Sequence, residues 1–94
     1  MQREIEVQYT KLFLRKYKKL NPSLRKEVKE AIEKFKKTEH HIKLKVYKLS
    51  GRALGKYSFS VNYSYCIIFE YIDDDTTAIL LTMGDHDIYD QFLK

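Results

Sequence analysis

The sequence predicts an α+β domain in which a helical hairpin packs on a twisted, mainly antiparallel sheet. Three observations carry this reading. Apolar residues recur at helical spacing over 11–20 and again over 22–37, with Asn21 and Pro22 breaking the pattern between them. From Tyr57 to Tyr71 every odd position is aromatic or β-branched while most even positions are small or polar, a period of two. A nearly continuous apolar run over 78–83 then has the character of a buried strand.

The elements follow in order. Residues 2–8 alternate polar and apolar, with Ile5 and Val7 on one side, and read as a short edge strand. Thr10 can cap a first helix over 11–20, whose apolar stripe is Leu12, Phe13, Tyr17 and Leu20. Asn21 then serves as N-cap and Pro22 as first residue of a second helix, 22–37, with Leu24, Val28, Ala31, Ile32 and Phe35 on its inner face. The alternating stretch divides into strands 57–62 and 65–72 about a turn at Asn62, Tyr63 and Ser64. Three aspartates, 73–75, make the next turn, and the last strand is 76–83. Gly84 ends it, and 86–93 reads as a short C-terminal helical tail, so the order is β-α-α-β-β-β. Leu24, Val28, Ile32, Phe35, Phe59, Ile67, Phe69, Ile79 and Leu81 are the expected core.

At 94 residues the chain is one domain, 1–94, without linker, repeat or low-complexity segment. A single cysteine, Cys66, excludes an internal disulfide and suits a reducing compartment. The N-terminus lacks a signal-peptide pattern and no run reaches the length of a membrane span, so the expectation is a cytoplasmic protein without membrane association. The net charge of +5 hides an asymmetry: residues 1–56 hold 17 Lys/Arg against 6 acids, and 57–94 hold Lys94 against 7 acids. A half this basic attracts polyanions in a salt-dependent way.

The chemistry concentrates in two places. Lys43, Lys45, Lys48, Arg52 and Lys56 run through a segment containing Gly51 and Gly55, outside any amphipathic helix pattern. Cations in such a segment neutralise phosphates, and the glycines allow close approach to a backbone. At the far end of the last strand stands His86, with Tyr89 three residues on. Cleavage of RNA by its own 2′-hydroxyl needs a base, an acid for the leaving 5′-oxygen and cations for the crowded phosphorane. Histidine suits the acid-base task near neutrality, and tyrosine can stack on a base or donate a hydrogen bond. No metal or cofactor is called for. His40 and His41 lack a third ligand at credible spacing and read as a solvated helix C-terminus. Cys66, at an even position, should share a face with Ser58, Ser60 and Asn62, away from the core.

The stretches LRKYKKLNPSLRKEVKEAIEKF, YKLSGRALGKYSFSV, YSYCIIFEY and LLTMGDHDIY together make the chain resemble the RelE/ParE superfamily of type II toxins. It is closer to the YoeB and YafQ branches than to the gyrase-poisoning ParE branch. The resemblance implies a RelE-like fold and ribosome-dependent mRNA cleavage. It also implies an acidic cognate antitoxin that wraps the site, an oligomer formed with that antitoxin, and the ribosome and mRNA as further partners. The family's catalytic histidine falls on His86 and its terminal aromatic on Tyr89 or Phe92. Two catalytic positions depart from the family. Tyr47 stands where relatives carry histidine or glutamate, and Cys66 where they carry arginine. A phenol is a poor base at neutral pH, and a thiol supplies no phosphate fork. Loss of one such stabiliser costs on the order of 10²–10³ in rate. The resemblance therefore leaves three readings: a working mRNA interferase, a catalytically inactive homologue that binds RNA and antitoxin, and a ParE-like inhibitor of DNA gyrase. If Cys66 and His86 belong to one site, the Cys66 sulfur should line a concave surface with His86 and Tyr47.

Overall fold

The computed structural model describes residues 4–42, 44–49, 55–72 and 76–85. The expected elements appear in the expected order, with one strand added. They are β1 (Glu6–Tyr9), α1 (Lys11–Lys19), α2 (Pro22–Phe35), a 3₁₀ turn (Thr38–His40), β2 (Tyr47–Lys48), β3 (Tyr57–Ser60), β4 (Tyr65–Ile72) and β5 (Thr77–Asp85). The sheet runs β1-β5-β4-β3-β2; β1 is parallel to β5 and the other pairs are antiparallel. The expected tail over 86–93 lies outside the described residues.

Both helices start where their caps dictate. The Thr10 hydroxyl accepts from the Phe13 amide at 3.0 Å, and the Asn21 side-chain oxygen accepts from the Leu24 amide at 2.8 Å, with Pro22 following as the first helical residue. α2 ends at Phe35, two residues short of expectation. The Lys37 amide turns back to the Lys34 carbonyl, and Lys37 forms an antiparallel bridge to Glu4. The same contact explains why β1 begins at Glu6: the Ile5 amide donates to the Lys36 carbonyl instead of to β5.

One face of the sheet packs on the helices. Its core comprises Phe13, Val28, Ala31, Ile32 and Phe35 from the helices, with Phe59, Ile67, Phe69, Ala78, Leu80 and Met83 from the strands. Phe35 is the hub, its ring stacked on Phe59 at 4.4 Å between centroids and edge-on to Phe69 at 4.7 Å. The alternation over 57–71 reads correctly, since Tyr57, Val61, Tyr65 and Tyr71 pack against this core. Tyr63, at the tip of the β3–β4 turn, is the exception and is exposed.

Three expectations are corrected. Ile79 and Leu81 are only half-buried, while Ala78, Leu80 and Met83 fill the helix-facing positions. A continuous apolar run carries no parity of its own. Here the parity is set by pairing with β4 and then altered by a bulge, because Ile68 pairs with Thr82 but Phe69 with Leu80, leaving Leu81 over. Leu24 is half-buried near the start of α2. Leu12 is exposed, since Phe13 alone fills the inward position of α1's first turn.

Candidate functional site

The sheet's other face bears Cys66. Antiparallel partners share a face, so Ser60, Cys66 and Gly84 form one row across β3, β4 and β5. Through the backbone, Tyr47 pairs with Ser58, Ser58 with Ile68 and Ile68 with Thr82. The Leu49 amide donates to the Lys56 carbonyl at 2.8 Å, which helps hold β2 against β3. A two-residue strand of mixed composition gives no periodicity, so the sequence did not reveal it.

Cys66 faces away from the helices, as its parity required, but it does not line an open surface. Its side chain is 2% exposed, within a second small cluster with Leu49 and Ile68 against which Leu81 packs. The expectation of an accessible sulfur is thus corrected: Leu49, carried across by β2, lies over this part of the sheet. His86 follows Gly84, the register partner of Cys66, by two positions in the chain. His86 and Tyr89 lie outside the described residues, as do Lys43 and Arg52.

The remaining basic positions differ from one another. Lys48 is exposed on the edge strand β2. Lys45 is exposed and adopts a positive φ of 56°, the left-handed position at the end of a helical turn. Its amide donates to the Ile42 carbonyl at 3.1 Å and the Val46 amide to the His41 carbonyl at 3.1 Å, the bond pair of a Schellman motif. Lys56 is engaged with the Glu70 carboxylate at 3.2 Å, so its charge is locally matched. Gly55, at φ 88°, serves the turn before β3 through that conformation; nothing lies within 4 Å of where its Cβ would be.

Tyr65 pairs with Asp85 at the end of the sheet where the candidate row lies. Burial first, then the charge of Asp85 and then Cys66, raises its phenol above the ordinary value, so it stays a neutral O–H at physiological pH. His41 is not a merely solvated terminal residue. Its ring stacks on Phe35 at 4.9 Å, and Nε2 lies 2.8 Å from the Phe35 carbonyl at the end of α2. Among the described residues no group of three His, Cys, Asp or Glu is placed to hold a metal ion. Nor is any described helix long and apolar enough to cross a membrane.

One residue escaped the sequence reading. Lys16 of α1 reaches β5, its ammonium 2.7 Å from the Thr82 hydroxyl and 3.2 Å from the Met83 carbonyl. The contact spans 66 positions and leaves no local signal. A groove of about 240 Å³ lies between the helices, lined by Tyr9, Phe13, Leu14, Tyr17, Lys29, Ile32 and Glu33, remote from the row of Cys66.

No family model and no curated protein matches the sequence. Solved structures do match the fold. The RelBE2 toxin–antitoxin complex of Mycobacterium tuberculosis contains a chain that superposes with a TM-score of 0.72 at 20% identity, over 88% of this chain and 99% of that one. An archaeal RelE–RelB complex from Pyrococcus horikoshii gives 0.68 at 16% identity, covering 87% and 94%. A YoeB/ParE toxin from Agrobacterium tumefaciens gives 0.63 at 10% identity, covering 87% and 99%. The fold is that of the RelE and YoeB toxins.

Proposed function

We propose that this protein is the toxin of a type II toxin–antitoxin pair and stops translation by metal-independent cleavage of mRNA on the ribosome. The observation that carries the reading is the near end-to-end correspondence with toxin chains, 88% of this chain against 99% of the RelBE2 chain. In this reading His86 is the general acid for the leaving 5′-oxygen, and Tyr89 stacks on or hydrogen-bonds to the substrate. Lys43, Lys45, Lys48 and Arg52 neutralise backbone phosphates, while Lys56, matched by Glu70, contributes less. No cofactor takes part. An acidic antitoxin in the same cytoplasm covers the site and assembles with the toxin. The fold likeness supports that partner, since the RelBE2 and archaeal RelE–RelB structures are both complexes of this kind.

Induced expression tests the reading. Protein synthesis should halt before any DNA-damage response rises, and primer extension in a translating extract should reveal new mRNA ends that His86→Ala abolishes. A damage response that precedes the translation block would instead indicate a gyrase poison.

One observation favours a second reading, a catalytically inactive homologue that still binds RNA and antitoxin. The position where relatives carry arginine holds Cys66, packed with Leu49 and Ile68. A buried thiol cannot stabilise a phosphorane. Weak or absent cleavage by this chain, raised tenfold or more by Cys66→Arg and lost again with His86→Ala, would establish it.

A further inference from the structure

Between Tyr57 and Leu93 the sheet-forming half of the chain has no lysine or arginine, although the proposed cleavage at His86 would build up phosphate charge after its last strand. The fold brings a cation there from elsewhere. β1 ends at Tyr9, opposite Leu80, whereas β5 continues to Asp85, so among the described residues its outer edge runs on without a strand partner. α1 covers that edge. The Thr10 hydroxyl lies 2.8 Å from the Leu81 carbonyl and 3.1 Å from the Leu80 carbonyl, and the Lys16 ammonium engages Thr82 and Met83. His86 follows Met83 by three positions.

We propose that Lys16 is a positioning residue for the RNA-cleaving site. Its ammonium holds the end of β5 that leads into His86. The inference rests on the mRNA-cleavage reading. An ammonium has three donors, and Thr82 and Met83 take two of them. Cover for the strand edge alone would need only an apolar side chain and a hydroxyl. Placing a half-buried ammonium there adds a fixed positive charge at the strand end. Lys16 thus brings a cation to the part of β5 that precedes Asp85.

Lys16→Met keeps the stem and removes the charge, Lys16→Arg keeps the charge, and Lys18→Met on the exposed side of α1 controls for net charge. Ribosome-dependent cleavage of one mRNA is measured for each, with the thermal midpoint. The expected result is a kcat lowered about tenfold or more by Lys16→Met with KM little changed, recovered in large part by Lys16→Arg and untouched by Lys18→Met. Equal rates for Lys16→Met and the parent, or an equal loss in Lys18→Met, would overturn the proposal. If the parent protein cleaves nothing, the cleavage reading fails by itself. Amide hydrogen exchange then decides the holding role: faster exchange at Gly84 and Asp85 in Lys16→Met, reversed in Lys16→Arg, upholds it, and unchanged exchange removes it.

Discussion

Lys45 stands in a conformation that glycine adopts freely and lysine does not. At φ 56° it occupies the C′ position of a Schellman motif, where a side chain costs about 1 kcal/mol relative to glycine. Lys45→Gly should therefore stabilise the protein by roughly that amount in urea unfolding, and under the proposed function it should also weaken RNA binding. Cys66 presents the opposite case. An arginine placed at this 2%-exposed position would bury a charge beside Leu49 and Ile68. Cys66→Arg should cost about 3–5 kcal/mol unless the Leu49 segment lifts away, and calorimetry with and without the substitution measures that cost. Tyr65 gives a pH signature. Its folded pKa is raised, so the folded protein binds its proton more tightly than the unfolded chain does. The associated stability is complete below the ordinary phenol value near ~10 and is lost as pH climbs through the raised value. Asp85→Asn removes one charge from its surroundings and should bring the tyrosinate absorbance transition of Tyr65 to lower pH; no movement would assign the shift to burial and Cys66.

At the scale of elements, α1 does more than close a hairpin. Thr10 caps the helix and also serves the edge carbonyls of β5, two tasks for one hydroxyl. Thr10→Val should consequently cost near the upper end of a cap deletion, about 2 kcal/mol, whereas Thr10→Ser should cost little; chemical denaturation of the two variants separates them. The capping role was legible in the sequence, because Thr10 precedes an apolar-periodic run, and so were Asn21 with Pro22 and the alternation that puts Phe59, Ile67 and Phe69 in the core. The second task was not, since the Leu81 carbonyl is 71 positions away. The same holds for Leu49 over Cys66: the parity of Cys66 correctly gave its face, but parity says nothing about what another segment lays upon it. Ile79 and Leu81 were misplaced for a different reason. In an unbroken apolar strand only the partner's register and a bulge decide which residues point inward.

Across the whole molecule the charge divides by chain half, and the fold redistributes it unevenly. α1 carries five Lys/Arg and no acid, while α2 carries four against three glutamates. The binding segment proposed from the sequence, with Lys43, Lys45, Lys48, Arg52 and Lys56, contributes free charge at Lys45 and Lys48, both exposed, and matched charge at Lys56. This partition can be read from salt dependence, because each neutralised phosphate on single-stranded RNA contributes about 0.7 to the slope of log K against log salt. Replacing Lys45, Lys48 and Arg52 together with alanine should reduce the slope by about 2. Lys56→Ala should leave it nearly unchanged, as Glu70 already holds that ammonium at 3.2 Å. The measurement is RNA affinity for each variant across a series of salt concentrations. A slope unmoved by the triple substitution would transfer those cations from RNA to the antitoxin.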